Sequence, residues 1–276
     1  MRFLTIILAV LSLSGCSTMQ IAERNFIRAD KAGAVHAESG DLRSSVPAMR
    51  LRDVSLDAGN GTTLRGVIAE RPGATTTVLY FGGNAFHLDR QGADLLPLLA
   101  SCGVNVAVFD YRGYGRSSGA PTVANLAADA LLVFDEVSAQ APGRVIVHGQ
   151  SLGSFMAAHV AAQRPQAAGL VLEATATNVA DWADANLPWY ARPFLRLEIA
   201  ESLRGVDNVA AVARYHGAGL VLAGERDHVT PAALGRRVFA AMNPARRQWI
   251  EQAGAGHNDI FGSPTLMPAY CAFVQQ

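Results

Sequence analysis

Residues 145–163 read Val-Ile-Val-His-Gly-Gln-Ser-Leu-Gly-Ser-Phe-Met-Ala-Ala-His-Val-Ala-Ala-Gln. The first four residues, 145–148, have the β-branched character of a buried strand. Residues 152–163 are rich in Ala and Leu-like side chains and read as a helix. Between them stands Gly149-Gln150-Ser151-Leu152-Gly153. A G-x-S-x-G pentapeptide joining a strand to a helix is a tight, strained turn that leaves its serine exposed at the carboxyl end of the strand. Glycine at both flanks removes the Cβ atoms that would collide as strand and helix converge. Ser151 is therefore the candidate nucleophile, and a parallel sheet is the expected frame around it.

The sequence on either side repeats this alternation. Upstream, residues 51–56 and 64–69 read as strands joined at the Gly59-Asn60-Gly61 turn, a hairpin signal. Residues 77–81 and 104–109 are short apolar strands, and residues 88–102 and 123–139 carry helical spacing. Downstream, strands are expected at 170–173, 220–223 and 248–251, with helices at 231–242 and 264–274. Near-continuous apolar strands separated by helices imply an α/β fold whose mostly parallel sheet is covered on both faces. Residues 175–215 break the rhythm. They hold Trp182, Trp189, Tyr190, Phe194, Pro188 and Pro193 and read as a helical cap inserted over the sheet, with Trp182, Trp189 and Tyr190 suggesting either an apolar pocket or packing of cap on sheet.

A serine hydroxyl needs a base, and the base needs a group to orient it. Of seven histidines, His257 lies in Ala255-Gly256-His257-Asn258, a Gly-containing loop between the last strand and the last helix, from which an imidazole can lean over the strand ends. His148 reads as a buried strand residue and His159 as a helix residue two turns beyond Ser151. His228 adjoins the candidate acid, and His36, His87 and His216 read as loop residues. The acid is Asp227, in Gly224-Glu225-Arg226-Asp227-His228 after the strand at 220–223, with Glu173 as its rival. An acid here accepts from imidazole Nδ1–H and stabilises the imidazolium. The order Ser, Asp, His is that of α/β-hydrolases. Backbone donors for a developing oxyanion are expected from Leu152, at a helix N-terminus, and from the loop Gly82-Gly83-Asn84, where Asn84 is preferred and Gly83 is the alternative.

Taken together, Tyr80-Phe81-Gly82-Gly83-Asn84-Ala85, Phe109-Asp110-Tyr111-Arg112-Gly113-Tyr114-Gly115-Arg116-Ser117-Ser118-Gly119, the serine turn, Asp227 and His257 resemble the α/β-hydrolase superfamily over residues 50–275, and within it the Bem46-like or serine aminopeptidase-like hydrolases. Many of these have His-Gly where this chain has Gly82-Gly83. The resemblance implies an eight-stranded, mostly parallel sheet with a helical cap insertion. It implies hydrolysis of a carboxylic ester or thioester through an acyl-enzyme, with peptidase or amidase chemistry on the same residues as an alternative. It also implies a structural role, shaping the pocket rim, for the segment beginning at Asp110. A catalytically inactive binding lipoprotein on the same fold is the reading from another class.

The N-terminus has a different character. Met1-Arg2 precedes the apolar run 3–13, too short for the roughly 20 residues that span a bilayer. Then follows Leu13-Ser14-Gly15-Cys16. This resembles a bacterial lipoprotein signal, with an ordinary secretory signal as the plainer alternative. It implies a signal peptide over 1–15, lipidation at Cys16, a tether over 16–48 and an α/β-hydrolase domain over 49–276. Membrane attachment then runs through the Cys16 lipid, in the bacterial envelope. The absence of Asp at position 17 favours the outer membrane facing the periplasm. In an oxidising compartment Cys102 and Cys271 could pair, though two buried thiols remain an equal alternative. Half of the 276 residues are hydrophobic, and 23 basic residues balance 23 acidic ones. That balance gives no electrostatic footprint for nucleic acid. No Cys/His cluster has metal-ligand spacing, and no metal or organic cofactor is expected; the expected partner is a small-molecule acyl substrate.

Overall fold

A computed structural model describes residues 17–30, 42–140 and 143–276. The apolar run 3–13 and Cys16, on which the signal and lipidation expectations fall, lie outside the described residues. The chain runs β1 (Ser17–Ile21), α1 (Glu23–Phe26), α2 (Leu42–Ser45), β2 (Arg50–Asp57), β3 (Thr63–Glu70), β4 (Thr76–Phe81), α3 (Leu88–Ala100), β5 (Asn105–Phe109), α4 (Val123–Gln140) and β6 (Arg144–Gln150). It continues through α5 (Leu152–Gln163), β7 (Gly169–Glu173), α6 (Val179–Ala185), β8 (Leu195–Ile199), α7 (Asn208–Val212), β9 (Ala218–Gly224), α8 (Ala232–Ala241), β10 (Arg247–Gln252) and α9 (Leu266–Val274).

Eight of these strands form one sheet in the order β10-β9-β7-β6-β4-β5-β3-β2. The pairings of β3 with β2 and with β5 are antiparallel, and the other pairs of the sheet are parallel. Because successive strand side chains point to opposite faces, each central strand feeds two cores. Val145, Val147, Leu170, Leu172 and Val221 face the core under α4, α5, α7 and α8. Ile146, Val171, Leu220 and Leu222 face the other, beneath α2, α3 and α9. Each such fully buried aliphatic residue contributes roughly 1.5–3 kcal/mol. Helix α5 is apolar nearly all round because it is enclosed: Phe155, Met156, Ala157, Val160 and Ala161 are all buried. Cys102, just after α3, and Cys271, on α9, form a disulfide on the second face.

Two expectations are corrected here. The inserted segment over 175–215 is not purely helical: besides α6 and α7 it carries β8. Residues 17–30 and 42–48, expected as part of a tether, are docked. β1 pairs in parallel with β8, from Ser17 against Leu195 to Ile21 against Ile199, and Ile21, Phe26, Ile27, Leu42 and Val46 are buried. The apolar residues of this polar stretch are few, and their partners lie far along the chain, so no local periodicity announces them.

Candidate functional site

The turn after β6 has the geometry its sequence implies. Ser151 has φ 53° and ψ −114°, a region that side-chain-bearing residues rarely occupy. A Cβ on Gly149 would stand 2.1 Å from the Gly153 carbonyl oxygen, and one on Gly153 would stand 2.0 Å from that of Phe81. Both glycines are thus required by backbone contact. The Ser151 N–H donates to the Glu173 carbonyl at 2.9 Å, tying the turn to the neighbouring strand β7.

Ser151, Asp227 and His257 come together although 106 and 30 residues separate the hydrogen-bonded pairs. Ser151 follows β6 directly, Asp227 lies three residues beyond β9, and His257 lies five beyond β10. All three are therefore presented at the carboxyl edge of the sheet. His257 Nε2 is 2.9 Å from Ser151 Oγ, and its Nδ1 is 2.8 Å from Asp227 Oδ2. The second carboxylate oxygen, Oδ1, accepts from the Val229 and Thr230 amides, each at 2.8 Å. The Asp227 side chain is fully buried. Burial by itself pushes its carboxyl up, but the hydrogen bonds from His257 and from the Thr230 amide and hydroxyl outweigh it and hold the group below its ordinary value.

Sequence reasoning missed Thr230. Its hydroxyl is buried 2.7 Å from Asp227 Oδ2, 3.1 Å from His257 Nδ1 and 2.9 Å from the Ala174 carbonyl. The only signal in the sequence was a hydroxyl three residues after the candidate acid. Glu173, the rival acid, is turned away: its Oε2 lies 3.1 Å from His148 Nε2, and His148 Nδ1 lies 3.1 Å from the Tyr270 hydroxyl. His148 is wholly buried, as its strand position implies. His228 is exposed and His159 half-buried. Burial and the nearby Arg214 and Arg164 lower the pKa of His159. His87 lies in a loop, as expected. It is buried ahead of α3, with Nε2 2.8 Å from Asp30 Oδ1.

The loop after β4 lies against the serine. A Cβ on Gly83 would stand 2.0 Å from Gln150 Oε1 and 3.5 Å from Ser151 Cβ. The segment beginning at Asp110 holds this loop. The Tyr111 hydroxyl donates to the Gly82 carbonyl at 2.8 Å, and the Tyr114 hydroxyl to Asn84 Oδ1 at 3.0 Å. Arg112 is clamped bidentately on Asp129 at 2.8 and 2.6 Å. Asn84 also stitches the N-terminal segment in place: Nδ2 donates to the Phe26 carbonyl at 2.6 Å and Oδ1 accepts from the Arg28 amide at 2.9 Å. The Leu152 amide stands in the first turn of α5, where amides have no partner within the helix.

Ser151, His257, Asn84 and Leu152 line a cavity of about 270 Å³. Its apolar wall is Phe26, Phe155 and Trp182. Phe26 meets the other two rings edge-on, with centroids 5.5 and 5.8 Å away. The cap's aromatics divide: Trp182 faces this cavity, whereas Trp189 and Tyr190 are 81% and 63% exposed and do not line it. A larger cleft of about 690 Å³ between α6 and β8 holds none of Ser151, Asp227 or His257. No group of residues able to hold a metal ion occurs among the described residues.

The family model for serine aminopeptidase, S33, matches residues 73–212. An uncharacterized Mycobacterium tuberculosis protein is 34% identical over 242 residues, covering 86% of this chain and 81% of that protein. Protein bem46 of Schizosaccharomyces pombe is 27% identical, covering 69% of this chain and 64% of its own length. Among solved structures, the Pyrococcus furiosus esterase Pf2001 superposes with a TM-score of 0.71 at 16% identity, over 90% of this chain and 97% of that one, a likeness of fold.

Proposed function

The chain belongs to the serine aminopeptidase S33 family of α/β-hydrolases, and from that premise we propose that it is a serine hydrolase cleaving a carboxylic ester or thioester, tethered to the bacterial envelope. The observation that carries the reading is the hydrogen-bonded chain from Ser151 through His257 to Asp227, opening on a small cavity walled by Phe26, Phe155 and Trp182.

His257 Nε2 takes the proton as Ser151 Oγ attacks the acyl carbon, and Asp227 holds the Nδ1–H tautomer and stabilises the imidazolium. The tetrahedral oxyanion accepts from the Leu152 and Asn84 amides. His257 then returns the proton to the leaving alkoxide or thiolate, and the same imidazole activates the water that releases the acid from the acyl-enzyme. A cavity of about 270 Å³ with aromatic walls suits a short or medium acyl chain.

Envelope tethering draws on the run 3–13, on Cys16, and on the Cys102–Cys271 disulfide, which fits an oxidising compartment. The attachment is lipidation at Cys16, in the outer membrane facing the periplasm.

The test is fluorophosphonate labelling of the full chain beside Ser151→Ala, with the modified residue found by mass spectrometry, followed by matched p-nitrophenyl esters and p-nitroanilides. Labelling at Ser151 with turnover of esters is expected. An unlabelled but folded chain overturns the serine-hydrolase reading, and faster turnover of anilides overturns the ester preference.

A further inference from the structure

Three aromatic side chains of the cap stand in solvent. Trp189, Tyr190 and Phe194 are 81%, 63% and 69% exposed, and Met19 on the adjoining strand β1 is 44% exposed. None of the four lines the Ser151 cavity. Isolated exposed apolar residues are ordinary, but three large aromatics within six residues of chain are a surface that water alone does not favour.

Strand β1 begins beside them. The Ser17 amide donates to the Phe194 carbonyl at 3.0 Å, and Ser17 pairs with Leu195 at the start of the β1–β8 ladder. The residue immediately before Ser17 is Cys16, preceded by the apolar run 3–13. Ser17, the residue that follows Cys16, therefore begins the described chain beside Phe194. The same segment exposes Arg192 and Arg196. Aromatic rings interspersed with arginine are the composition of a surface lying at the headgroup level of a bilayer.

The aromatic segment is also joined to the mouth of the cavity. Asn186 Nδ2 donates to the Val229 carbonyl at 2.9 Å, and Val229 lines the cavity while 41% exposed. Trp189 follows three residues on, within roughly 10 Å of chain reach. At the other end, β1 leads through α1 to Phe26, which forms a cavity wall. We propose that Trp189, Tyr190 and Phe194 form a docking surface for a lipid bilayer, which holds the cap on the membrane and lets the Ser151 cavity take acyl substrates that reside in it.

The proposal rests on the envelope-tethering reading, and its test separates the two. The full chain and its Trp189→Phe and Trp189→Ser/Tyr190→Ser/Phe194→Ser variants are reconstituted with phosphatidylethanolamine–phosphatidylglycerol vesicles, with and without brominated acyl chains, while mass spectrometry reports acylation of Cys16. A component of tryptophan emission quenched by the brominated lipid, and absent in Trp189→Phe, is expected. The triple variant should lose turnover of vesicle-borne diacylglycerol while keeping that of p-nitrophenyl acetate. Acylated, vesicle-bound chain with unquenched Trp189 overturns the docking surface and leaves the tether standing. Quenched Trp189 on a chain unmodified at Cys16 supports docking and removes the lipid tether. Self-association through the patch without vesicles, abolished in the triple variant, overturns the bilayer as its occupant.

Discussion

Replacing Asp227 by Asn removes a charge without changing shape, and the local hydrogen bonds decide which way the new amide must face. Oδ1 accepts two backbone amides, from Val229 and Thr230, at 2.8 Å each. An NH₂ group at that position would oppose two donors, at a cost of about 1–3 kcal/mol for each buried amide left unpaired. The carboxamide oxygen therefore takes the Oδ1 place, and the NH₂ points along the former Oδ2 direction at His257 Nδ1, 2.8 Å away. Facing a donor, Nδ1 must become an acceptor, so the proton moves to Nε2, which faces Ser151 Oγ at 2.9 Å. A protonated Nε2 cannot accept the serine proton. The resulting loss of the base is about 10⁴-fold in kcat, the size seen for the same change in a serine protease, or roughly 5.5 kcal/mol of transition-state stabilisation. KM for a p-nitrophenyl ester should move little, because the cavity wall is untouched. Steady-state kinetics with Asp227→Asn, beside Glu173→Gln, checks this. A loss under tenfold for Asp227→Asn in a folded chain, or a larger loss for Glu173→Gln, refutes the orientation argument and with it Asp227 as the acid.

Because the Asp227 carboxyl is held below its ordinary value in the fold, the stability it contributes is fully present above the unfolded pKa of about 3.9 and is lost as pH falls through the folded value. Urea midpoints of the wild-type chain minus those of Asp227→Asn should therefore shrink as pH falls below about 4, and a difference that grows there contradicts the depressed pKa. Gly153→Ala forces a Cβ to 2.0 Å from a backbone oxygen, whereas in Gly83→Ala the atom met at 2.0 Å is the far end of the Gln150 side chain. The first should cost about 1–3 kcal/mol or more, and the second should leave Tm nearly unchanged while disturbing turnover beside Ser151. Equal thermal melts would refute the distinction. The Cys102–Cys271 disulfide spans 169 residues, so removing it by Cys102→Ala/Cys271→Ala should destabilise by about 2–5 kcal/mol in chemical denaturation, with ester turnover at 25 °C retained. Ala174 carries a side chain at φ 48°. Ala174→Gly should raise Tm by about 2–4 °C if roughly 1 kcal/mol of strain is relieved, and an unchanged or lower Tm would mean the position is not strained.

The parts of the fold that local pattern encodes were legible. All eight strands of the main sheet were expected from short apolar runs, and the edge where they end drew Ser151, Asp227 and His257 to one place before any distance was known. What escaped depends on partners remote in sequence. β1 is five residues, four of them exposed, and it exists because β8 pairs with it from about 180 residues away. Phe26 is one aromatic in a polar stretch, and the bonds that Asn84 donates to the Phe26 carbonyl and accepts from the Arg28 amide hold it as a cavity wall. Thr230 looks like any loop threonine until Asp227, Ala174 and His257 surround it. The cap aromatics misled for a related reason. The sequence supplied three candidates for the pocket, Trp182, Trp189 and Tyr190, but which ring turns inward depends on where α6 ends and on the bond from Asn186 to Val229, and neither leaves a periodic trace.

Strain is concentrated where the chemistry would occur. Among the described residues, Asn60, Ala85, Ser151 and Ala174 are the non-glycine positions with positive φ. Asn60 serves the β2–β3 turn, but the other three follow the carboxyl ends of β4, β6 and β7, which are consecutive neighbours at the centre of the sheet. Each such residue costs about 1–3 kcal/mol, and Ser151 and Ala174 are fastened by bonds that cross between strands. The Ser151 amide reaches the Glu173 carbonyl of β7, the Ala174 amide reaches the Leu222 carbonyl of β9, and the Thr230 hydroxyl lies against the Ala174 carbonyl. The two cores beneath are dense with fully buried Val and Leu, so the strands cannot shift to relax their ends. The serine, the group that orients its base and the loop facing both are thus held by one rigid edge. A residue such as Ala174, which touches no substrate, therefore belongs to the same mechanical unit as Ser151.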